Sequence, residues 1–263
     1  MFLLVKTLKK IESKANPIFK MALKAVSKNN DNESVLIEGH KLLDEALKSG
    51  ATPEMIFIET PAALREKTDL NPISYQVSRA MLRELSSVQT PAEIIAFVKL
   101  PTPVDVATAL QNSRFVLVLD RLQDPGNIGT IIRTGEAMGI DLLVMLEGCC
   151  SRRNHKVVRA AMGSCFRLPI IDKVPFEQLL PLLRLHGFHS ICADMNGQPL
   201  PSFRFPPRCS LFLGQEGRGL DEEILKECNT RLAIPMQGQV ESLNVATSAA
   251  ICLYEWAHPR SAG

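Results

Sequence analysis

Phe115-Val-Leu-Val-Leu-Asp120-Arg-Leu-Gln-Asp-Pro-Gly-Asn127-Ile-Gly-Thr-Ile-Ile-Arg133-Thr-Gly-Glu-Ala-Met138 decides the fold class. Its first five residues are all apolar, and a run that short reads as a strand buried on both faces. Pro125-Gly126 makes a turn, and Asn127 is placed to cap the helix that follows. Ile128, Ile131, Ile132, Gly135 and Met138 then recur at helical spacing and form a packing stripe. Arg133 lies about 140° from Ile128 at ~100° per residue, off that stripe. It therefore points at solvent, a ligand or a partner chain. A capped helix with a surface arginine is the plain alternative.

The same alternation continues outward. Asp141–Leu146, Phe188–Ala193, Cys209–Leu213 and Arg231–Ile234 read as strands. Between and after them, 155–163, Leu179–Leu185, Asp221–Cys228 and Leu243–Trp256 read as helices. Apolar strands separated by helices predict a mostly parallel α/β sheet covered on both faces. Ligands of such sheets sit outside the carboxyl ends of the strands. The first hundred residues are different in texture, with helices near 16–28 and 39–49 and strands at Ser34–Glu38, Glu54–Ile58 and Ile94–Val98. The two prolines of Lys99-Leu-Pro-Thr-Pro-Val-Asp105 suggest a linker. The expected organisation is a small α/β domain at 1–100, a linker at 101–112 and the parallel-sheet domain at 113–263, in keeping with a 263-residue chain.

Composition narrows the function classes. At 46% hydrophobic and 22% charged the chain can build a core without staples. Seven cysteines, with no CxxC pair and no Cys/His cluster, argue against a disulfide framework and against any metal site. No apolar run reaches the ~18 residues of a membrane span. Met1-Phe-Leu-Leu-Val5 is too short for a signal-peptide core. The expectation is a soluble cytoplasmic protein. Charge is uneven: residues 1–30 hold seven lysines and one glutamate, while the rest holds 23 basic and 27 acidic residues. Lys6, Lys10 and Lys14 step by four, as do Lys20, Lys24 and Lys28, so on helices each set would line one face. With Arg152, Arg153 and Lys156 of Ser151-Arg-Arg-Asn-His-Lys156, they are candidate contacts to the phosphates of a polyanion. A solvated basic surface is the plain alternative.

Two later loops carry further signals. Gly214-Gln-Glu-Gly-Arg-Gly219 surrounds Glu216 with glycines that permit close approach of backbone to a ligand. Its order is G-x-x-G-x-G, not the dinucleotide fingerprint, and the next strand ends in Pro235-Met236 with no carboxylate for a ribose, which argues against an NAD site. From Leu243 to Tyr254 there is no charge, so that helix is expected to be buried, with Ser242 as its cap. Asn244, in its first turn, then needs hydrogen-bond partners from protein or ligand.

Taken in order, Asn127-Ile-Gly-Thr-Ile-Ile-Arg-Thr134, Leu213-Gly-Gln-Glu-Gly-Arg-Gly219 and Ile234-Pro-Met236 with Glu241-Ser-Leu-Asn-Val245 resemble the SpoU/TrmH family of RNA ribose 2′-O-methyltransferases, in the SPOUT superfamily. Lys156-Val-Val-Arg-Ala-Ala-Met-Gly163 and Phe166-Arg-Leu-Pro169 are similar to the segment that connects those blocks. Ser13-Lys-Ala-Asn-Pro17 and Ile37-Glu-Gly39 resemble the substrate-binding domain that often precedes them. Gln215 stands where Asn is usual in the family, and Gly135 where Ala is common.

The resemblance implies a C-terminal trefoil knot, a device that pattern rules alone would not produce. It implies S-adenosylmethionine as cofactor, held at Gly214, Ile234 and Leu243 with Met236 alongside. It also implies catalytic roles for Asn127, Arg133, Glu216, Ser242 and Asn244, and a homodimer in which Asn127 and Arg133 complete the partner's site. Arg133 would hold the RNA phosphate and the reacting hydroxyl. The N-terminal domain favours rRNA as substrate, with tRNA methylation or a non-catalytic RNA-binding role on the same fold as alternatives.

Overall fold

The computed structural model describes residues 8–27, 34–64, 73–102, 104–215, 217–238, 240 and 242–259. In chain order the first elements are β1 (Leu8–Lys10), α1 (Pro17–Ser27), β2 (Ser34–Glu38), α2 (His40–Lys48), β3 (Pro53–Ile58), β4 (Ile73–Gln76), α3 (Arg79–Leu85) and β5 (Ile94–Lys99). Next come α4 (Val106–Gln111), β6 (Phe115–Leu119), α5 (Pro125–Met138), β7 (Leu142–Leu146), α6 (His155–Ala161) and β8 (Ile170–Val174). The chain closes with α7 (Phe176–Leu185), β9 (His189–Pro199), β10 (Cys209–Leu213), α8 (Glu222–Glu227), β11 (Thr230–Ala233) and α9 (Val245–Ala257).

Two compact units form. One comprises 1–101 with 153–166, the other 102–152 with 167–263. In the first, five strands run in the order β1-β4-β3-β5-β2. β5 lies antiparallel to β2 and β3, while β1 and β3 lie parallel to β4. Phe57 centres its core, stacked on Tyr75 at 5.4 Å and edge-on to Phe19 and Phe97 at 6.5 and 6.0 Å. Such pairings add to the area they bury. Helix α6 packs on β2 in this unit, burying Val157, Val158 and Ala161.

The second unit is a six-stranded, wholly parallel sheet in the order β11-β9-β10-β6-β7-β8. β6, β7 and β10 are buried along their whole length, as their apolar runs require. Alternation assigns the two faces. Val116, Val118, Val144 and Phe212 meet Leu110 of α4, Leu179 and Leu183 of α7 and Ile224 of α8. On the other face Phe115 lies 4.2 Å from Trp256 of α9, which packs against α5.

Several elements differ from the sequence reading. The stretch read as a linker contains α4, capped by Asp105 through Thr108 N–H at 3.1 Å, and its Leu110 is fully buried. β1, β4, α3 and β8 add elements that short or mixed patterns did not announce. Lys10 and Lys14 lie in β1 and the turn after it, so no helical stripe joins them. Helix α9 buries one face only: Val245, Ala249 and Leu253 are covered, whereas Ile251 is 36% and Tyr254 58% exposed. Absence of charge marked a neutral helix, not one enclosed on every side. Among the described residues no helix is long and apolar enough to cross a membrane.

Candidate active site

Because all six strands of the second sheet are parallel, the segments after β6, β10 and β11 leave the same edge. The first enters α5. Here the cap is Asp124, whose Oδ1 accepts from Asn127 N–H at 2.7 Å, with Pro125 opening the helix. This corrects the assignment of the cap to Asn127: proline suits the first helical position and shifts the start three residues earlier. The Asn127 side chain is consequently turned to another task.

That task appears at α9. Its cap is Asn244, not Ser242, with Oδ1 accepting from Ala246 N–H at 2.9 Å and from Thr247 N–H at 3.3 Å. The Asn244 amide Nδ2 then donates to Asn127 Oδ1 at 2.9 Å. One carboxamide therefore caps one helix and reaches the first turn of another. Ser242 is exposed in the preceding segment and Leu243 is half-buried.

The middle segment is shaped by its glycines. A Cβ on Gly214 would lie 2.3 Å from the Gly219 carbonyl carbon and 2.4 Å from Leu220 N, so no side chain fits there. Gly217 and Gly219 take φ of +84° and +67°, and Gly219 N–H closes the turn on the Gln215 carbonyl at 2.9 Å. Glu216 lies outside the described residues, as does Lys6. Ile234 is half-buried and Met236 is 36% exposed, so apolar surface stays accessible after β11. Arg133 is exposed on α5. The donor set suits a ligand with an apolar ring and several hydrogen-bonding atoms: exposed backbone beside Gly214, apolar Ile234, Met236 and Leu243, and the amides of Asn127 and Asn244.

At the root of this edge stands a group without a role in the sequence reading. The Asp120 carboxylate is 5% exposed and pairs with Arg121 at 3.1 Å, while Arg121 also reaches Asp221 at 2.8 Å. Burial pushes the Asp120 carboxyl above its ordinary range, against the pull of Arg121. Nearby, Cys149 Sγ faces the Leu119 carbonyl at 3.3 Å, and burial pushes that thiol up to about 12. An acid directly after an apolar strand was the one available signal for Asp120.

The basic candidates divide. Lys10 pairs with Glu12 at 2.7 Å and Lys14 pairs with Glu84, yet both stay exposed, as do Lys20 and Lys24 on α1. Lys156 is exposed and Arg153 half-buried. Arg152 departs from the expectation: its side chain is 3% exposed and its Nε lies 3.2 Å from Asp172. A guanidinium held inside by a carboxylate cannot offer its fork to a phosphate, so Arg152 is corrected to a structural ion pair.

Parallel sheet, glycine loop and paired asparagines define an α/β domain with a ligand site at the carboxyl ends of its strands. The crystal structure of an AdoMet-bound rRNA methyltransferase from Sinorhizobium meliloti superposes with a TM-score of 0.84 at 24% identity, covering 94% of this chain and 97% of that one, and shows the shared fold. A solved RNA 2′-O ribose methyltransferase gives a TM-score of 0.76 at 26% identity over 94% of this chain and 97% of its own. In sequence, the Bacillus subtilis 23S rRNA (guanosine(2553)-2′-O)-methyltransferase RlmP is 32% identical over 250 residues, 94% of this chain and 98% of the relative. The chain belongs to the SpoU rRNA Methylase family, whose pattern matches residues 114–254, and residues 22–96 match an MRM3-like substrate binding domain.

Proposed function

We propose that this protein is an S-adenosylmethionine-dependent methyltransferase acting on a ribose 2′-hydroxyl of rRNA. The observation that carries the reading is the Asn244–Asn127 hydrogen bond at 2.9 Å, which joins the first and third sequence blocks at the strand ends. The names of the relatives agree, as does the substrate-binding match in the first hundred residues.

Bound S-adenosylmethionine would supply an electrophilic methyl group on a sulfonium. That methyl would pass to the ribose 2′-oxygen, with the hydroxyl proton released to water. The chain's part is placement. Gly214 lets the two ends of the loop pack backbone to backbone, and Ile234, Met236 and Leu243 would wall the apolar portion of the cofactor. Arg133 takes the adjoining phosphate with its planar fork and orients the hydroxyl. Ser242 and Asn244 complete the pocket, with Asn127 fixing Asn244, and Glu216 keeps the catalytic role that the family resemblance implies. Holding reactants in line can supply ~7–11 kcal/mol of a bimolecular barrier, so positioning dominates this account. The guanidinium of Arg133 is assigned an electrostatic and orienting role.

Lys10, Lys14, Lys20, Lys24, Arg153 and Lys156 are assigned to RNA phosphates, the exposed ones first. We also assign the active form as a cytoplasmic homodimer in which Arg133 serves the partner's site, whereas Asn127, expected there too, bonds Asn244 of its own chain. Exposed Arg133, Ile251 and Tyr254 on the paired helices α5 and α9 support that assembly. The domain scheme of 1–100 for RNA capture and 113–263 for chemistry belongs to the same reading, with α4 joining the second unit and 153–166 the first, as does a knot formed by the closing segment.

The test is methyl transfer from radiolabelled S-adenosylmethionine to unmodified rRNA and tRNA, assayed separately, with Arg133→Ala as control. Alkali-resistant label in rRNA that the variant loses is the expected result. Label in tRNA alone overturns the substrate class, and absence of cofactor binding overturns the enzyme in favour of an RNA-binding protein.

A further inference from the structure

Both ends of the glycine loop are held by the same dipeptide. Asp120 N–H donates to the Leu213 carbonyl at 2.9 Å, just before Gly214. At the other end, Asp221 N–H donates to Asp120 Oδ2 at 3.2 Å, just after Leu220. Arg121 closes the arrangement, with Nη1 donating to Asp221 Oδ2 at 2.8 Å and Nε to Asp120 Oδ2 at 3.2 Å. Asp221 is fully engaged, since its Oδ1 also caps α8 through Glu223 N–H at 3.1 Å.

The surroundings are built to this arrangement. Arg121 sits at φ +51°, in the left-handed region that side-chain-bearing residues adopt at a cost. Its stem passes so close to the loop after β7 that a Cβ on Gly148 would lie 3.0 Å from Arg121 Cγ. Next along the chain, the Leu122 carbonyl accepts from Cys150 N–H at 2.7 Å, and the Gln123 amide donates to the Gly148 carbonyl. Strands β10, β6 and β7 are thereby tied at their carboxyl ends through residues 120–123. A buried carboxylate is a costly way to join strands that the sheet already pairs. What it adds is a fixed separation between the two ends of residues 214–220.

We propose that Asp120 and Arg121 are positioning residues that clamp Leu213 and Asp221, on either side of the glycine loop, at the separation that cofactor binding requires. The inference rests on the methyltransferase reading for the identity of the ligand. Arg121 acts through Asp221 and touches no reacting atom.

The experiment compares wild type, Arg121→Ala, Arg121→Lys and Leu110→Ala. Leu110→Ala hollows the core under α4 and controls for general loss of stability. S-adenosylmethionine affinity is measured by calorimetry, with no RNA present, and amide exchange of 217–220 by mass spectrometry. The clamp predicts at least tenfold weaker binding and faster loop exchange in Arg121→Ala, and no change in either for Leu110→Ala. Arg121→Lys should fall between, because an ammonium replaces the fork with a single point of contact. Affinity within twofold of wild type in Arg121→Ala, with unchanged loop exchange, overturns the clamp alone. Equal weakening in Leu110→Ala also overturns it, by showing that any destabilisation loosens the loop. Wild type that binds no S-adenosylmethionine overturns the methyltransferase reading, and the positioning role with it.

Discussion

The side-chain amide of Asn244 donates to the side-chain oxygen of Asn127 over 2.9 Å, across 117 positions of sequence. Because Asn244 also caps α9, stability and site geometry are joined in one residue. Asn244→Ala should cost about 0.5–2 kcal/mol, the usual range for a lost cap. Asn127→Ala leaves both caps in place and should cost less. Urea unfolding of the two single variants and the double variant gives the coupling, which should be non-zero for side chains in contact. Both single variants should lose methyl transfer, Asn127→Ala while remaining folded.

How much of this site could be read from the chain depended on the range of the interactions. β6 and α5 were legible because a continuous apolar run and a helical stripe are local patterns. The two caps were misplaced by two or three residues, since Asn127, Asp124, Ser242 and Asn244 are all competent cap residues and only the backbone chooses among them. The strand Leu8-Lys-Lys10 has no apolar alternation and exists through pairing with β4, a partner more than sixty residues away. The Asp120–Arg121–Asp221 group spans a hundred positions, and nothing near Asp221 announces its partner. Arg152 had the composition of a phosphate contact, but Asp172 on β8 takes it inside.

Gly214 provides a steric prediction. A methyl group there meets the Gly219 and Leu220 backbone at 2.3–2.4 Å, which only movement of the loop can relieve. Gly214→Ala should therefore abolish measurable S-adenosylmethionine binding in calorimetry. Gly217 has open space around its missing Cβ but a φ of +84°. Gly217→Ala should instead cost about 1–2 kcal/mol of backbone strain and weaken binding modestly. Equal effects would show that the loop's conformation, not the close approach at Gly214, limits binding.

Arg133 separates function from folding. Its side chain is exposed on α5, so Arg133→Ala should change unfolding free energy by no more than about 0.5 kcal/mol. Methyl transfer should fall by about 10²-fold or more, the scale on which misplacement of reacting groups is felt. Arg133→Lys should recover little, since a lysine cannot grip a phosphate with a planar fork. Full activity in Arg133→Lys would remove the bidentate role. Mixing Arg133→Ala with Asn244→Ala protein tests the shared site: partial recovery is expected if each copy completes the other's pocket.

Three thiols, Cys209 and Cys252 buried and Cys149 half-buried, predict an alkaline limit to stability. Burial pushes Cys149, Cys209 and Cys252 each up to about 12, whereas in the unfolded chain they would ionise near the ordinary value of 9.0. Between those values the folded protein holds protons that the unfolded chain gives up. Stability must then fall as pH rises from about 9 to about 12, and below 9 these thiols contribute no slope. Urea unfolding at pH 8, 9.5 and 10.5 should show progressive loss in wild type. A Cys149→Ala, Cys209→Ala, Cys252→Ala variant starts less stable, because the smaller side chains at Cys209 and Cys252 leave gaps in the core. Its decline with pH should nonetheless be shallower, and an identical slope would show that groups other than these three thiols set the alkaline limit.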